Sequence, residues 1–179
     1  MNHPTLDSFQ FCPACGSDAI QKLLGKKIHC NNCNFNLFLN PAVAVSLVLY
    51  NEKDEFLIAT RAHDPGINML DLPGGFIDPF ETAEQAAKRE IKEELNIDLC
   101  SLEYISSETN IYPYDNVIYQ TVDIGFASQI DSNTKMVIDP EIKKIDWIHY
   151  LELKMKDFAF SSPYLIAQKF IETKYKLYK

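Results

Sequence analysis

No run of apolar residues in this chain reaches the roughly 20 needed to cross a bilayer, and the opening segment, residues 1–10, is polar where a secretory leader would be apolar. A membrane partner is therefore not expected. An excess of positive charge is missing too: 17 Lys and Arg stand against 25 Asp and Glu, a net charge of −8. Binding to a nucleic-acid backbone is driven by cations that displace counterions, so nucleic acid is disfavoured as the main partner, although Lys22, Lys26 and Lys27 make one short region mildly basic. Internal repeats and low-complexity tracts are absent, which removes solenoids and disordered arrays. Histidine is scarce and scattered, with His3, His29, His63 and His149 far apart in the chain. None is required by the chemistry read below. Cysteine is confined almost wholly to the first fifth of the chain, and the exception, Cys100, reads from its apolar neighbours as a buried thiol. A cytoplasmic globular protein is the expectation.

The early cysteines are ordered. Cys12-Pro13-Ala14-Cys15 is followed, after fourteen residues, by Cys30-Asn31-Asn32-Cys33. Two such knuckles each give two sulfurs to one tetrahedral Zn²⁺. All four positions are filled by Cys12, Cys15, Cys30 and Cys33, so the site is closed and structural, since catalytic zinc keeps a position for water. Disulfides would need an oxidising compartment, to which nothing in the sequence points. Residues 1–38 form the expected zinc ribbon, too small to fold without its metal. Residues 39–179 remain for a second domain, with Asn40-Pro41 at the junction.

The densest chemistry lies between Gly75 and Ile97, in the order Gly75, five residues, Glu81, seven residues, Arg89-Glu90-Ile91, one residue, Glu93-Glu94. Thr82 with Gln85 predicts a capping box, and the alanines after it favour helix. At about 100° per residue from Ala83, Ala86, Ala87, Ile91 and Leu95 fall near 300°, 40°, 80° and 120°, one apolar stripe. Glu90, Glu93 and Glu94 fall near 340°, 280° and 20° by the same arithmetic. The acids thus border the stripe, while Lys88, Lys92 and Gln85 hold the wet side. Like charges at this spacing repel, and Arg89 offsets only part of the charge. Hard divalent cations, which take carboxylate oxygens and substrate phosphates, suit such a face.

This segment resembles the Nudix box, G-x5-E-x7-R-E-U-x-E-E-x-G-U with U aliphatic, at every position but one. Asn96 stands where the family has Gly, and Asn is the next-best residue for a left-handed helix end. The resemblance implies a metal shell of the Gly74 carbonyl with Glu90, Glu93 and Glu94, one of which orients or deprotonates water, and an Arg89 that holds the glutamates. Glu81 would support them. Mg²⁺ or Mn²⁺ is the implied catalytic cofactor. Leu72-Pro73-Gly74-Gly75 resembles the loop before the box helix, with Leu70 where an aromatic is often found. The implied fold is α/β, an α/β/α sandwich on a mixed curved sheet.

The order of elements agrees with that fold. Strands are predicted over 42–50, 55–60, 100–107, 117–128 and 143–149, with helices at the box and over 163–177. Ile118, Val122, Ile124 and Phe126 alternate onto one face of the fourth strand. A ribbon directly before such a domain is similar to the NADH pyrophosphatase branch, yet that branch's S-Q-P-W-P-F-P-x-S is replaced by Ser106-Ser107-Glu108-Thr109-Asn110-Ile111-Tyr112-Pro113-Tyr114. Pro113, sixteen positions beyond Ile97, is similar to a proline of the family's ADP-ribose pyrophosphatases. The expected substrate is consequently a small nucleotide, a nucleoside diphosphate linked to X, with ADP-ribose or a related ADP-sugar first. NAD(H), nucleoside triphosphates and dinucleoside polyphosphates are the alternatives. Tyr112 and Tyr114 are candidates to stack on a base, in a loop, and Arg61 to grip phosphate with its fork. Glu141, before a strand containing Trp147, is the candidate extra metal ligand or base, with Asp139 behind it. A non-catalytic nucleotide sensor would have lost box acids, and none is lost here. A homodimer stands among the expected states.

Overall fold

The computed structural model describes residues 4–114 and 117–176, which fall into two compact units. One comprises the residues up to Pro41 with Pro113–Tyr119, the other Ala42–Tyr112 with Gln120 onward.

In the first unit a short helix, α1 (Pro4–Asp7), precedes β1 (Ile20–Leu23), β2 (Lys27–Cys30) and β3 (Asn36–Phe38), which form an antiparallel sheet with β2 in the middle. The two cysteine knuckles fold alike. Gly16 N–H donates to the carbonyl of Cys12 and Asn34 N–H to that of Cys30, both at 2.9 Å. Gly16 and Asn34 have φ of 72° and 61°, the left-handed turn that Gly and Asn adopt most readily.

The second unit is built on β4 (Ala42–Tyr50), β5 (Glu55–Arg61), β6 (Leu70–Asp71), β9 (Ile142–His149) and, outside Pro113–Tyr119, on β7 (Glu103–Tyr114) and β8 (Val117–Gln129). The sheet runs β6-β5-β4-β8-β7, with β9 also paired to β5. It is mixed: β4 runs parallel to β8 over its whole length and antiparallel to β5. The continuous apolar run of β4 is explained by cover on both faces. Val45, Leu47 and Leu49 join Leu57 and Ala59 of β5 beneath α2 (Ala83–Leu95), whereas Val48, Phe56 and Ile58 pack with Ile166, Ala167 and Phe170 of α3 (Ser161–Lys176). That is the expected α/β/α sandwich. Close approach of α3 depends on Gly125 of β8, where any Cβ would collide with Ile166.

Two expectations change. The strand predicted over 100–107 runs instead from Glu103 to Tyr114, so Tyr112, Pro113 and Tyr114 end a strand and are not a loop. Pro113 is tolerated because β7 is the outermost strand. Ile118 keeps the parity of Phe126 on β8, yet it is exposed where Phe126 is buried. Cys100 is exposed, because after α2 the chain alternates, with Ile97 and Leu99 inward and Asp98 and Cys100 outward.

Candidate active site

Helix α2 forms as its sequence dictates. Thr82 accepts from Gln85 N–H, Gln85 accepts from Thr82 N–H, and Asn96 ends the helix at φ 55° and ψ 37°. Ala86, Ala87, Ile91 and Leu95 are its buried residues, which turns Glu90 and Glu94 toward the chain segment before the helix.

That segment is fixed by the sheet. β4 and β5 pair at Tyr50 and Phe56 and then part, β5 turning to β6. Residues 73–77 fill the gap: Leu47 N–H donates to Pro73 O at 2.9 Å, Val45 N–H to Gly75 O at 2.8 Å, and Ile77 N–H to Val43 O at 3.0 Å. Gly74 has φ 144°, and a Cβ on it would strike the Val45 carbonyl; one on Gly75 would strike the Glu90 carboxylate. The two glycines therefore let one turn lie between β4 and the acids of α2.

On the other side of this turn, Gly74 N–H donates to Glu94 Oε2 at 3.0 Å. Burial, first of all, pushes the Glu94 carboxyl up to about 8, against the Gly74 hydrogen bond, and Glu90, Asp71 and Glu141 add to the rise. Glu90 is also shifted upward, chiefly by burial. Arg89 organises the remaining acids. Its Nε and Nη2 donate to the two oxygens of Glu81 at 2.9 and 2.8 Å, its Nη1 to Glu90 at 2.8 Å and Glu93 at 3.0 Å, and Nη2 also to Phe76 O at 3.0 Å. These contacts raise its own pKa and hold Glu81 below the usual carboxylate range. No ion pair reaches Glu94 among the described residues, so Arg89 neutralises the neighbours and leaves the largely enclosed Glu94 without a cation. A hard divalent ion fits that donor set. Glu93, in contrast, is mostly exposed and turned to Arg89.

The other sequence candidates take separate places. Glu141 is exposed, its N–H donating to Asp139 Oδ1 at 2.9 Å in an Asx turn. It belongs to a segment tied to the end of α2, with Val137 N–H on Leu95 O at 3.0 Å and Asp139 N–H on Glu94 O at 2.9 Å. Arg61 is engaged within the protein: Nη1 donates to Asp71 at 2.7 Å, Nε to Pro65 O at 2.7 Å, and the guanidinium lies 5.2 Å from the Phe160 ring centroid. Tyr112 packs on the same ring at 5.2 Å and edge-on against Phe76 at 5.7 Å. Tyr114 is half exposed at the end of β7. Asp71 was missed from the sequence, where a single acid between Leu70 and Leu72 gives no signal. Burial, opposed by Arg61, lifts it to about 6.

The four cysteines converge. Cys12 Sγ and Cys33 Sγ are 3.7 Å apart, as are Cys15 Sγ and Cys30 Sγ, and all four sulfurs lie within 4.8 Å of one another. Sulfurs about 2.3 Å from a shared tetrahedral ion stand roughly 3.8 Å apart, so the cluster suits zinc and is too open for disulfides. Among the described residues it is the one group of three or more such ligand atoms within that spacing; the box glutamates share a helix face without closing to it.

The NUDIX domain family profile matches residues 40–169, and the chain belongs to that family. More particularly, it is a Nudix hydrolase with an N-terminal four-cysteine cluster. It is similar to the NAD-capped RNA hydrolase NudC of Photorhabdus laumondii, 26% identical over 149 residues, covering 83% of this chain and 54% of that protein. The chain thus spans about half the length of that relative. A Nudix hydrolase structure from Nitrosomonas europaea superposes with a TM-score of 0.68 at 22% identity, covering 94% of this chain and 93% of that one. The bifunctional NMN adenylyltransferase/ADP ribose pyrophosphatase of Francisella tularensis gives 0.58 at 26% identity, over 76% of this chain and 42% of that one. The family implies a divalent metal.

Proposed function

We propose that this chain hydrolyses the phosphoanhydride of a nucleoside diphosphate linked to X, and that X is the nicotinamide nucleotide half of a dinucleotide of the NAD type. The observation that carries the hydrolysis is Glu94, buried on the Gly74 N–H without a cation and beside Glu90. The relatives named for NAD-capped RNA favour the dinucleotide over the ADP-sugar that Pro113 suggested. Such an RNA ends in the same dinucleotide, so it belongs in the substrate class despite the acidic chain.

In this reading the Gly74 carbonyl, Glu90, Glu93 and Glu94 hold Mg²⁺ or Mn²⁺, which when bound neutralises charge on the pyrophosphate and activates water. Arg89 positions the glutamates. Glu141 approaches from the segment tied to α2 as a further acid or base. Tyr112 offers a ring face to a base, Tyr114 is a separate stacking candidate, and Arg61, beside Tyr112 on Phe160, orients the phosphate side through Asp71. Cys12, Cys15, Cys30 and Cys33 hold structural Zn²⁺ in a ribbon of residues 1–38, and residues 39–179 form the hydrolase domain.

A second reading, ADP-ribose, is favoured by the similarity to the Francisella enzyme. The test is kcat/KM for NADH, NAD⁺, NAD-capped RNA, ADP-ribose and nucleoside triphosphates in Mg²⁺ or Mn²⁺. NADH or the capped RNA should lead. A lead for ADP-ribose supports the second reading, and turnover of none refutes the hydrolase assignment.

A further inference from the structure

The ribbon has a face that the hydrolase reading leaves without a purpose. From Ala19 to Asn51 there is no Asp or Glu, although the whole chain carries 25, and Lys22, Lys26 and Lys27 fall in that interval. Strand register sorts the side chains. Leu23, Lys27 and Phe38 stand opposite one another across the three strands, and so do Gln21, His29 and Asn36 two residues along. By the alternation of strands both rows lie on one side of the sheet. The other side carries Ile28, 2% exposed, with Leu37 and Lys22 in its row.

The first side is open. Phe38 is 57% exposed, with Lys27 Nζ 5.5 Å from its ring centroid. The turn that joins β1 to β2, at the same end of the sheet, carries the exposed Lys26 and Leu24, the latter 93% exposed. Lys22 is not part of this set, because it points the other way and pairs with Asp7 at 3.8 Å. In the second row His29 Nδ1 lies 3.2 Å from Asn36 Oδ1, so amide and imidazole groups flank the aromatic ring. The thiol cluster is at the far end of the strand: Cys30 is three residues, roughly 10 Å, beyond Lys27.

An exposed ring, one cation over it with a second in the adjoining turn, and a row of amides within one strand spacing match what an unpaired nucleotide presents: a base to stack, a phosphate, and edges with donors and acceptors. We propose that this face of the β1–β2–β3 sheet binds a single-stranded segment of RNA, Phe38 stacking on a base while Lys26 and Lys27 contact phosphate. The choice of RNA over another polyanion rests on the proposed function; the platform does not.

The test is fluorescence anisotropy of the zinc-loaded full chain with a short, labelled, uncapped single-stranded RNA at low salt. Phe38→Ala should weaken binding about 5- to 150-fold, the range for one lost base stack, and Phe38→Tyr should restore it. Lys27→Gln should flatten the dependence of log affinity on log salt by about 0.7, one phosphate contact on a single strand. Zinc content and turnover of NADH should match the parent in all three. The proposal is overturned if Phe38→Ala binds as tightly as the parent, if a duplex of the same sequence binds as well as the single strand, or if the parent binds no RNA, which would leave the face to a protein partner. A parent that binds RNA and cleaves no dinucleotide overturns the function proposed above and leaves the platform standing.

Discussion

Replacing Glu94 by Gln should disable the enzyme and stabilise the metal-free protein. The side chain is largely enclosed, its carboxyl is pushed up to about 8 from an ordinary 4.5, and among the described residues no ion pair compensates it. Between those two values the unfolded chain has released a proton that the folded chain retains, so stability falls as pH rises through this window. At pH 7 the span from 4.5 corresponds to about 3 kcal/mol at 1.36 kcal/mol per unit. A glutamine carries no such charge, yet its amide oxygen can still accept from Gly74 N–H. The metal-free variant should therefore melt roughly 6 to 12 °C higher at pH 7, at about 2 to 4 °C per kcal/mol for a chain of this size. The gain should shrink toward pH 5 and grow toward pH 8. Calorimetry of chelator-treated parent and variant across that range tests the stability, and turnover in Mg²⁺ or Mn²⁺ tests the catalysis. A variant that melts at or below the parent at every pH refutes the account of an uncompensated buried acid. One with full turnover refutes its place in the metal shell.

Arg89→Lys keeps the charge and loses the fork that joins Glu81, Glu90, Glu93 and the Phe76 carbonyl. Its kcat/KM should fall about 10- to 100-fold, the usual cost of losing a partner behind a metal ligand, measured by steady-state kinetics. Gly74→Ala meets both a left-handed φ and the Val45 carbonyl, so thermal unfolding should show a loss of several kcal/mol, on the order of other strained core changes, with activity lost alongside. Cys12→Ser should abolish zinc measured by elemental analysis and open the ribbon to protease, because ligation and folding are coupled there; hydrolysis should persist in part.

Helix α2 was legible to the residue because its signals are local: a cap at each end and an apolar stripe of period 3.6. The cysteine cluster was legible because spacing alone brings two knuckles to one ion. β7 was legible only in its first part, since Ser106 to Asn110 carry no apolar alternation and the edge strand is held by pairing with β8, the next strand in the chain. β6 is two residues long, and only β5 makes it a strand. The burial of Asp71 and the engagement of Arg61 with it are likewise tertiary facts, invisible until β5 and β6 are laid side by side. Cys100 was misjudged from the apolar character of its neighbours, when the alternation beyond α2 decides its direction.

The parting of β4 and β5 bears on how such a chain can vary. Residues 73–77 occupy the place of a strand and are locked to Val43, Val45 and Leu47 by three backbone hydrogen bonds. One inserted residue there would slip that register and carry the Gly74 N–H away from Glu94. The segment from 130 to 141, fastened to α2 at Val137 and Asp139, can lengthen between its ends at small entropic cost. Lineages of this fold should therefore keep the first segment at fixed length and lay down new substrate preferences as insertions in the second.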